Sequence, residues 1–157
     1  MKKRTIAIYL FILLVAAGLA GLEIFYFKFH TYFQRTAVNE ALPVQAEMEI
    51  VAEGQFIEID MIHKGSGTAK IIEQNGKRYL RFENFSVTNG PDLYVYLTDS
   101  EKLNNNDESL GEYVNLGRLK GNVGSQNYEI PESAWGYRTA VVWCRQFSVL
   151  FSYAAMK

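Results

Sequence analysis

One side chain with redox and metal-binding chemistry occurs only once in this sequence. Cys144 is the single cysteine among 157 residues, and it lies in the apolar stretch Val-Val-Trp-Cys-Arg-Gln-Phe-Ser-Val that runs from Val141 to Val149. In most proteins a cysteine with such neighbours is a small buried hydrophobe, inert because burial raises the thiol pKa. The functional interpretation is a thiol that passes electrons, ligates a metal or bonds to a partner. Arg145 would favour the thiolate if the turn brings the two side chains together.

Histidine, the other versatile ligand, is almost as rare. His30 adjoins the apolar N-terminal segment, so His63 is the only histidine in the domain that follows. A site with two histidine ligands therefore cannot be built there, and one cysteine excludes a four-cysteine zinc site, a cysteine-ligated iron–sulfur cluster and an internal disulfide. The sequence assigns no metal site. His63 is a second candidate ligand after Cys144, although a histidine in such a loop is more often an ordinary surface residue.

The motifs of classical enzymes are missing. No Gly-x-Ser-x-Gly marks a nucleophile, and no Cys-x-x-Cys-His would attach a c-type haem. Beyond Thr36 the chain has 11 Lys and Arg against 16 Asp and Glu. A surface with this net negative charge repels phosphate backbones, so nucleic acid is excluded as a partner. No catalytic residue is assigned.

The first thirty residues are predicted to anchor the chain in a membrane. After Met-Lys-Lys-Arg, an uncharged and mainly apolar run extends from Ile6 to Leu22, and a second cluster ends at Phe27. As a helix, residues 6–27 would span roughly 33 Å, about the thickness of the hydrocarbon core. Gly18 and Ala20 have the spacing of a signal-peptidase site, but the length of the run and the aromatic and basic residues after it favour a retained anchor.

The basic N-terminus sets the predicted orientation. Lys2, Lys3 and Arg4 are expected to stay in the cytoplasm, so the chain is predicted to be a single-pass protein of the cell membrane with an extracytoplasmic C-terminal domain. Residues 31–50 are predicted to be a linker, in which a helical continuation reaches about Ala41 before Pro43 stops it. Residues 51–157 suffice for one domain with its own core.

This domain is predicted to be all-β. Short apolar or alternating runs are separated by Gly, Asn, Asp and Pro, which is typical of an antiparallel β-sandwich or a partly open barrel. Asn75-Gly76 predicts a tight hairpin turn, and Lys64 to Gly67 a break after the first strand. The predicted strands are Phe56 to Ile62, Thr68 to Glu73, Lys77 to Phe85, Leu93 to Thr98, Glu112 to Leu119, Gln126 to Ile130, Arg138 to Cys144 and Phe147 to Ala154.

Two other functions remain open from the residues alone. Leu93 to Thr98 alternates aliphatic residues with tyrosines, which predicts a half-exposed tyrosine face. Tyr79, Tyr94 and Tyr96 could then make the domain a non-catalytic cell-surface binding module, because tyrosines bury large areas at low entropic cost. Cys144 could instead link two copies of the chain through a disulfide, as an unpaired cysteine in an exported protein can.

Several separate motifs give the domain the appearance of a known family. From about Val51 to the C-terminus the chain resembles the DM13 domain, and Gly90-Pro91-Asp92 and Trp143-Cys144-x-x-Phe147 are the most specific parts of the likeness. The other matching motifs are Gly54-x-Phe56, His63, Gly67-x-Ala69, Leu80-x-Phe82-x-x-Phe85, Leu116-Gly117-x-Leu119, Gly124-x-Gln126 and Tyr128-x-Ile130-Pro131.

The resemblance implies a function that the residues alone do not. DM13 domains are all-β extracytoplasmic modules, often found with DOMON domains or on membrane anchors, and proposed to transfer electrons through their cysteine. The resemblance therefore implies a redox role for Cys144 and a redox partner protein. Since a lone thiol does not cycle electrons without a metal, a haem or a second sulfur, a cofactor is also implied, of unknown identity: a haem, though not of the c-type, or a metal. Gly90, Pro91, Asp92, Trp143 and Phe147 are interpreted as mainly structural.

Overall fold

The computed structural model describes residues 2–42 and 48–157. In this part of the chain an N-terminal helix is followed by two facing β-sheets, so the predicted sandwich is confirmed and no closed barrel forms. One sheet has the strand order β1-β7-β4-β3-β2 and the other β6-β5-β8-β9. The strands are β1 (Ala37–Asn39), β2 (Glu49–Gln55), β3 (Gly65–Gln74), β4 (Lys77–Val87), β5 (Leu93–Thr98), β6 (Tyr113–Arg118), β7 (Val123–Ile130), β8 (Thr139–Cys144) and β9 (Val149–Ala155).

The N-terminal helix has the length and composition of a membrane span. Helix α1 (Lys2–Leu22) continues as a π-helix (Glu23–Phe27), and a 3-10 helix (Phe29–Phe33) follows after Lys28 takes the left-handed conformation. The apolar span covers Lys3–Phe27, 25 residues, and it is not buried against the sandwich. Its side chains meet water unless a membrane covers them, so the helix is compatible with membrane anchoring.

The predicted helical continuation to Ala41 is wrong, because the chain pairs with the sandwich instead. Residues 37–39 form β1, which runs parallel to β7. The side-chain oxygen of Asn122 accepts a hydrogen bond from the Thr36 backbone N–H at 2.7 Å. Gly124 has a φ of 111°, and a Cβ at this position would clash with the carbonyl oxygen of Val38, so glycine is what lets β1 approach. Residues 43–47 of the predicted linker lie outside the described residues.

The first predicted strand is also wrong. β2 ends at Gln55, and residues 56–62 form an irregular loop in which the apolar Phe56 is a single anchor, its ring edge-on to Phe82 with centroids 4.7 Å apart. Lys64 to Gly67 were predicted to break the chain after that strand. Instead β3 begins at Gly65, and Gly67 forms a bulge in it with a φ of 102°. The Asn75-Gly76 turn is confirmed, since both residues have positive φ, 49° and 70°. The other predicted strands are confirmed with shifts at their ends.

Apolar side chains pack in two layers. The main core lies between the sheets, and a second cluster covers the outer face of the β6-β5-β8-β9 sheet beneath residues of the 100–110 loop. Tyr94 and Tyr96 belong to this second cluster and are only 9% and 4% exposed, so the prediction of a half-exposed tyrosine face is wrong. Strict alternation along β9 would place Phe151 and Tyr153 on one face. A bulge opposite Trp143 places Phe151 in the main core and Tyr153 in the outer cluster.

Candidate functional site

Cys144 lies at the end of a strand but not at the surface. It is the last residue of β8, it pairs with Leu93 of β5 on one side and Val149 of β9 on the other, and its side chain faces the main core. It is 0% exposed. The sequence places the residue correctly at the end of a strand, and its burial agrees with the interpretation of a cysteine among apolar neighbours as a small buried hydrophobe.

The surroundings of the sulfur favour the neutral thiol. Burial raises the pKa of the Cys144 thiol and outweighs the backbone amides of Phe147, Asp92 and Gln146, which favour its charged form. Arg145 does not act on the sulfur, contrary to the sequence-based expectation. Its guanidinium lies 4.3 Å from the centre of the Tyr94 ring, on the outer face of the sheet. The thiol is therefore neutral at neutral pH, in a setting where amides can stabilise added negative charge.

The two most specific sequence motifs meet at this sulfur. Gly90 lies against the ring of Phe151, where a Cβ would come within 2.8 Å of a ring carbon, and Pro91 is buried. The Asp92 carboxylate pairs with Arg118 at 2.9 Å and with Arg145 at 3.3 Å, so it ties the turn before β5 to the turn after β8. Gly90, Pro91 and Asp92 thus hold the chain around Cys144, as the structural interpretation of these residues requires.

His63 forms a dyad with a carboxylate that the sequence analysis did not single out. The imidazole Nδ1 lies 2.7 Å from Oδ2 of Asp60, and Oδ1 of Asp60 accepts the backbone N–H of His63, also at 2.7 Å. These bonds lower the pKa of Asp60 to about 2, with the side-chain hydrogen bond from His63 as the largest cause. The carboxylate therefore fixes the ring, and Nε2 is the nitrogen left to bind something else.

Phe151 connects His63 to the N-terminal segment. Its buried ring lies 4.5 Å from the imidazole of His63 and 6.1 Å from the ring of Tyr32, centre to centre. Tyr32 belongs to the 3-10 helix that follows the apolar span. Burial raises the pKa of its hydroxyl, and the charge of a Cys144 thiolate would raise it further, which places the two groups within electrostatic reach of each other.

An apolar cleft of about 760 Å³ opens where the helix end meets the sandwich. Its apolar walls are Phe27, Phe33, Ile62, Phe147 and Val149, and its polar lining consists of Tyr32, His63 and Thr88. The helix end is held there because the side chain of Gln146, in the turn after Cys144, donates a hydrogen bond to the carbonyl of Tyr26. We refer to Cys144, the turn of residues 145–148 and this cleft together as the joint between the helix and the domain.

The structure brings some predicted site residues together and adds others. Cys144 and His63 both belong to this joint: Tyr32 lies within electrostatic reach of the cysteine, and the ring of Phe151 contacts that of the histidine. Within residues 2–42 and 48–157, no group of three or more His, Cys, Asp or Glu side chains could hold a metal ion. Tyr32, Asp60 and Phe151 were missed. The only signal for Asp60 is its position three residues before His63, and Tyr32 was interpreted as part of an interfacial aromatic belt.

These features define a class of protein: a β-sandwich module, joined to one membrane-compatible helix, with a single enclosed thiol at the joint. Comparison with protein families matches residues 55–156 to the model described as electron transfer DM13. The match covers well over half of the chain, which therefore belongs to the DM13 family of electron-transfer domains. Comparison with curated proteins and with solved structures returned no match.

Proposed function

We propose that the protein is a membrane-anchored electron-transfer module whose domain lies outside the cytoplasm and whose redox-active group is the Cys144 thiol. Membership of an electron-transfer family supports the general role. The observation that carries the assignment to Cys144 is its position: the sulfur is enclosed at the end of β8, and the backbone amides of Phe147, Asp92 and Gln146 favour negative charge on it. Amides directed at a sulfur stabilise electron density on it, which is how proteins tune the potential of sulfur-containing redox centres.

Burial determines which kind of redox chemistry this thiol can perform. A neutral and enclosed thiol is a poor nucleophile, so exchange with an external disulfide is disfavoured. The same burial argues against a disulfide between two copies of the chain. Electron transfer to a carrier bound at the joint needs no access from bulk water, and Tyr32, which lines the cleft, lies within electrostatic reach of the sulfur. The proposal therefore requires a bound redox cofactor or a partner.

The alternative of a surface binding module loses its basis. Of the three tyrosines on which it depended, Tyr94 and Tyr96 are covered by Tyr113, Arg118 and Arg145, and only Tyr79, half-buried on β4 of the other sheet, is left for a partner to touch. Nothing among the described residues replaces them as an exposed aromatic face on this sheet, apart from Tyr113 itself. Electron transfer is the function that the site supports best.

Full-length protein purified from its native membrane tests the redox assignment. We expect a chromophore or metal to copurify, to be reduced by dithionite, and to be lost or shifted in potential in Cys144→Ser. Ser133→Cys, an exposed change on the far side of the domain, should leave the spectrum as in the wild type. A preparation without any chromophore or metal, in which oxidants also leave the Cys144 thiol unchanged, would exclude the proposal.

A fusion protein tests the orientation. A reporter enzyme that is active only outside the cytoplasm, joined after Lys157, should be active, because Lys2, Lys3 and Arg4 hold the N-terminus inside. Replacing these three residues with glutamate should lower the activity of the reporter. A wild-type fusion that is inactive, while a cytoplasm-specific reporter at the same site is active, would place the domain inside the cell and contradict the proposal.

A further inference from the structure

The cleft at the joint contains two polar atoms with unused hydrogen-bonding capacity. Asp60 occupies Nδ1 of His63, whereas Nε2 of His63 and the hydroxyl of Tyr32 make no hydrogen bond within residues 2–42 and 48–157. In the same part of the chain, every side-chain nitrogen or oxygen that is sealed from solvent has a partner. Both unpaired atoms are therefore accessible, and both residues line the cleft. A ligand there would meet two hydrogen-bonding groups in an otherwise apolar space.

The rest of the cleft selects an apolar ligand. Among the described residues no Lys, Arg, Asp or Glu lines it, and its volume of about 760 Å³ falls in the range of small-molecule sites. Its mouth is apolar as well, since Phe33 is 91% exposed, Ile62 is 62% exposed, and the neighbouring Met61 is 91% exposed. Phe27, the last residue of the apolar span, forms one wall. The mouth thus lies where the span ends, at the level from which a membrane-soluble molecule would enter.

We propose that this cleft binds the ring of a membrane-soluble quinol, with its ring hydroxyls at His63 Nε2 and at the Tyr32 hydroxyl. The inference rests on the proposed electron-transfer function and names the class of carrier that the same joint would serve. In the tautomer that donates Nδ1–H to Asp60, Nε2 of His63 offers a lone pair, which accepts a hydrogen bond from a quinol hydroxyl. The Tyr32 hydroxyl can donate to a ring oxygen or accept from it.

Other occupants fit this cleft less well. An acyl chain would satisfy the apolar walls but would leave both polar atoms unpaired, which costs free energy once water is displaced. A haem would suit His63 as an axial ligand, but its propionates need basic or other hydrogen-bonding partners, and no basic side chain lines the cleft. A water-soluble carrier has no reason to enter through an apolar mouth beside a membrane span. A quinol uses the walls, the mouth and both polar atoms.

Titration of the full-length protein in lipid nanodiscs with decylubiquinol tests this site, with empty nanodiscs as the reference for partitioning. We expect saturable binding of one molecule per chain. Tyr32→Phe keeps the ring packed on Phe151 and removes only the hydroxyl, so it should weaken binding about 2- to 10-fold, the effect of one neutral hydrogen bond. His63→Phe should weaken binding by a similar factor. Tyr113→Phe, which makes the same change at an exposed site outside the cleft, should not change the affinity.

Three results would overturn the proposal. Absence of saturable binding removes the site. The cleft would be shown to take acyl chains if Tyr32→Phe and His63→Phe bound decylubiquinol as tightly as the wild type does. The same conclusion would follow if decylbenzene, which has the same tail but no ring oxygens, competed as well as unlabelled decylubiquinol. A Soret shift with hemin that disappears in His63→Phe would assign the cleft to a metalloporphyrin instead. Binding is measured here without a redox signal, so the two proposals can fail separately. If the protein binds quinol but Cys144 is not redox-active, only the proposed function is wrong. If Cys144 is redox-active but no quinol binds, only the proposed carrier is wrong.

Discussion

Phe151→Ala should lower the free energy of unfolding by about 3–5 kcal/mol, the usual cost of deleting a fully buried phenylalanine. The ring of Phe151 is 0% exposed and lies against Tyr32 and His63, and Gly90 has no side chain where the ring needs room. These three neighbours come from separate parts of the chain, so they cannot close together over the cavity that alanine leaves. Denaturant unfolding followed by the fluorescence of Trp135 and Trp143 measures the change.

Phe33→Ala is the matched control for this substitution. It deletes the same side chain in the same joint, but Phe33 is 91% exposed, so its replacement should change the free energy of unfolding by no more than about 0.5 kcal/mol. Phe151→Leu keeps most of the side-chain volume, so its loss in free energy of unfolding should lie between those of Phe151→Ala and Phe33→Ala. If Phe151→Ala cost as little as Phe33→Ala, the aromatic contacts that join the helix end to the sandwich would not exist in solution.

Local sequence patterns were sufficient for elements that local interactions determine. The alternation in Leu93 to Thr98 and the positive φ that Asn75 and Gly76 tolerate predicted β5 and the hairpin within a residue or two. The strand predicted from Phe56 to Ile62 is wrong because an apolar residue that anchors an irregular loop has the same local sequence pattern as one in a strand. The strand β1 could not be found, since three residues pair only where Gly124 permits a close approach.

The site was predictable in part, for a similar physical reason. Cys144 and the Gly90-Pro91-Asp92 turn are identifiable by residue type, and β5 and β8 bring them together by ordinary pairing. The burial of Tyr94 and Tyr96 depends on the 100–110 loop folding over their sheet, and alternation alone does not show which face a loop will cover. The contacts of Phe151 with Tyr32 and His63 cross long sequence separations and depend on a bulge in β9, for which the sequence has no clear signal.

The Cys144 thiol should react with iodoacetamide about 10³-fold or more slowly in the folded protein than in denaturant, because only a rare opening of the domain exposes it. Its 0% exposure and raised pKa both act in this direction. Ser133→Cys in a Cys144→Ser background supplies an exposed thiol in the same fold, and it should react nearly as fast folded as unfolded. A native Cys144 that reacts as fast as this control would contradict the enclosed site.

The pH dependence separates two routes to the same alkylation. If the reagent reaches Cys144 only after opening, the thiol that reacts has an ordinary pKa of about 8.5, and the rate follows the pH profile of an exposed thiol. If the reagent reaches the folded thiol directly, the rate keeps rising at higher pH, because burial raises the folded pKa. The raised pKa also means that the thiol contributes its full stability below about pH 8.5, and that this contribution decreases as the pH rises toward the folded pKa.

The opening route also connects the thiol to Phe151. When opening is global, Phe151→Ala should accelerate alkylation of Cys144 by the same factor by which it lowers the folding equilibrium constant, roughly 10²- to 10⁴-fold for a loss of about 3–5 kcal/mol. Phe33→Ala should leave the rate unchanged. A rate that responds to neither variant would mean that the turn from Arg145 to Ser148 opens on its own. The sulfur would then be accessible without unfolding, and exchange with an external disulfide would become a feasible reaction for this domain.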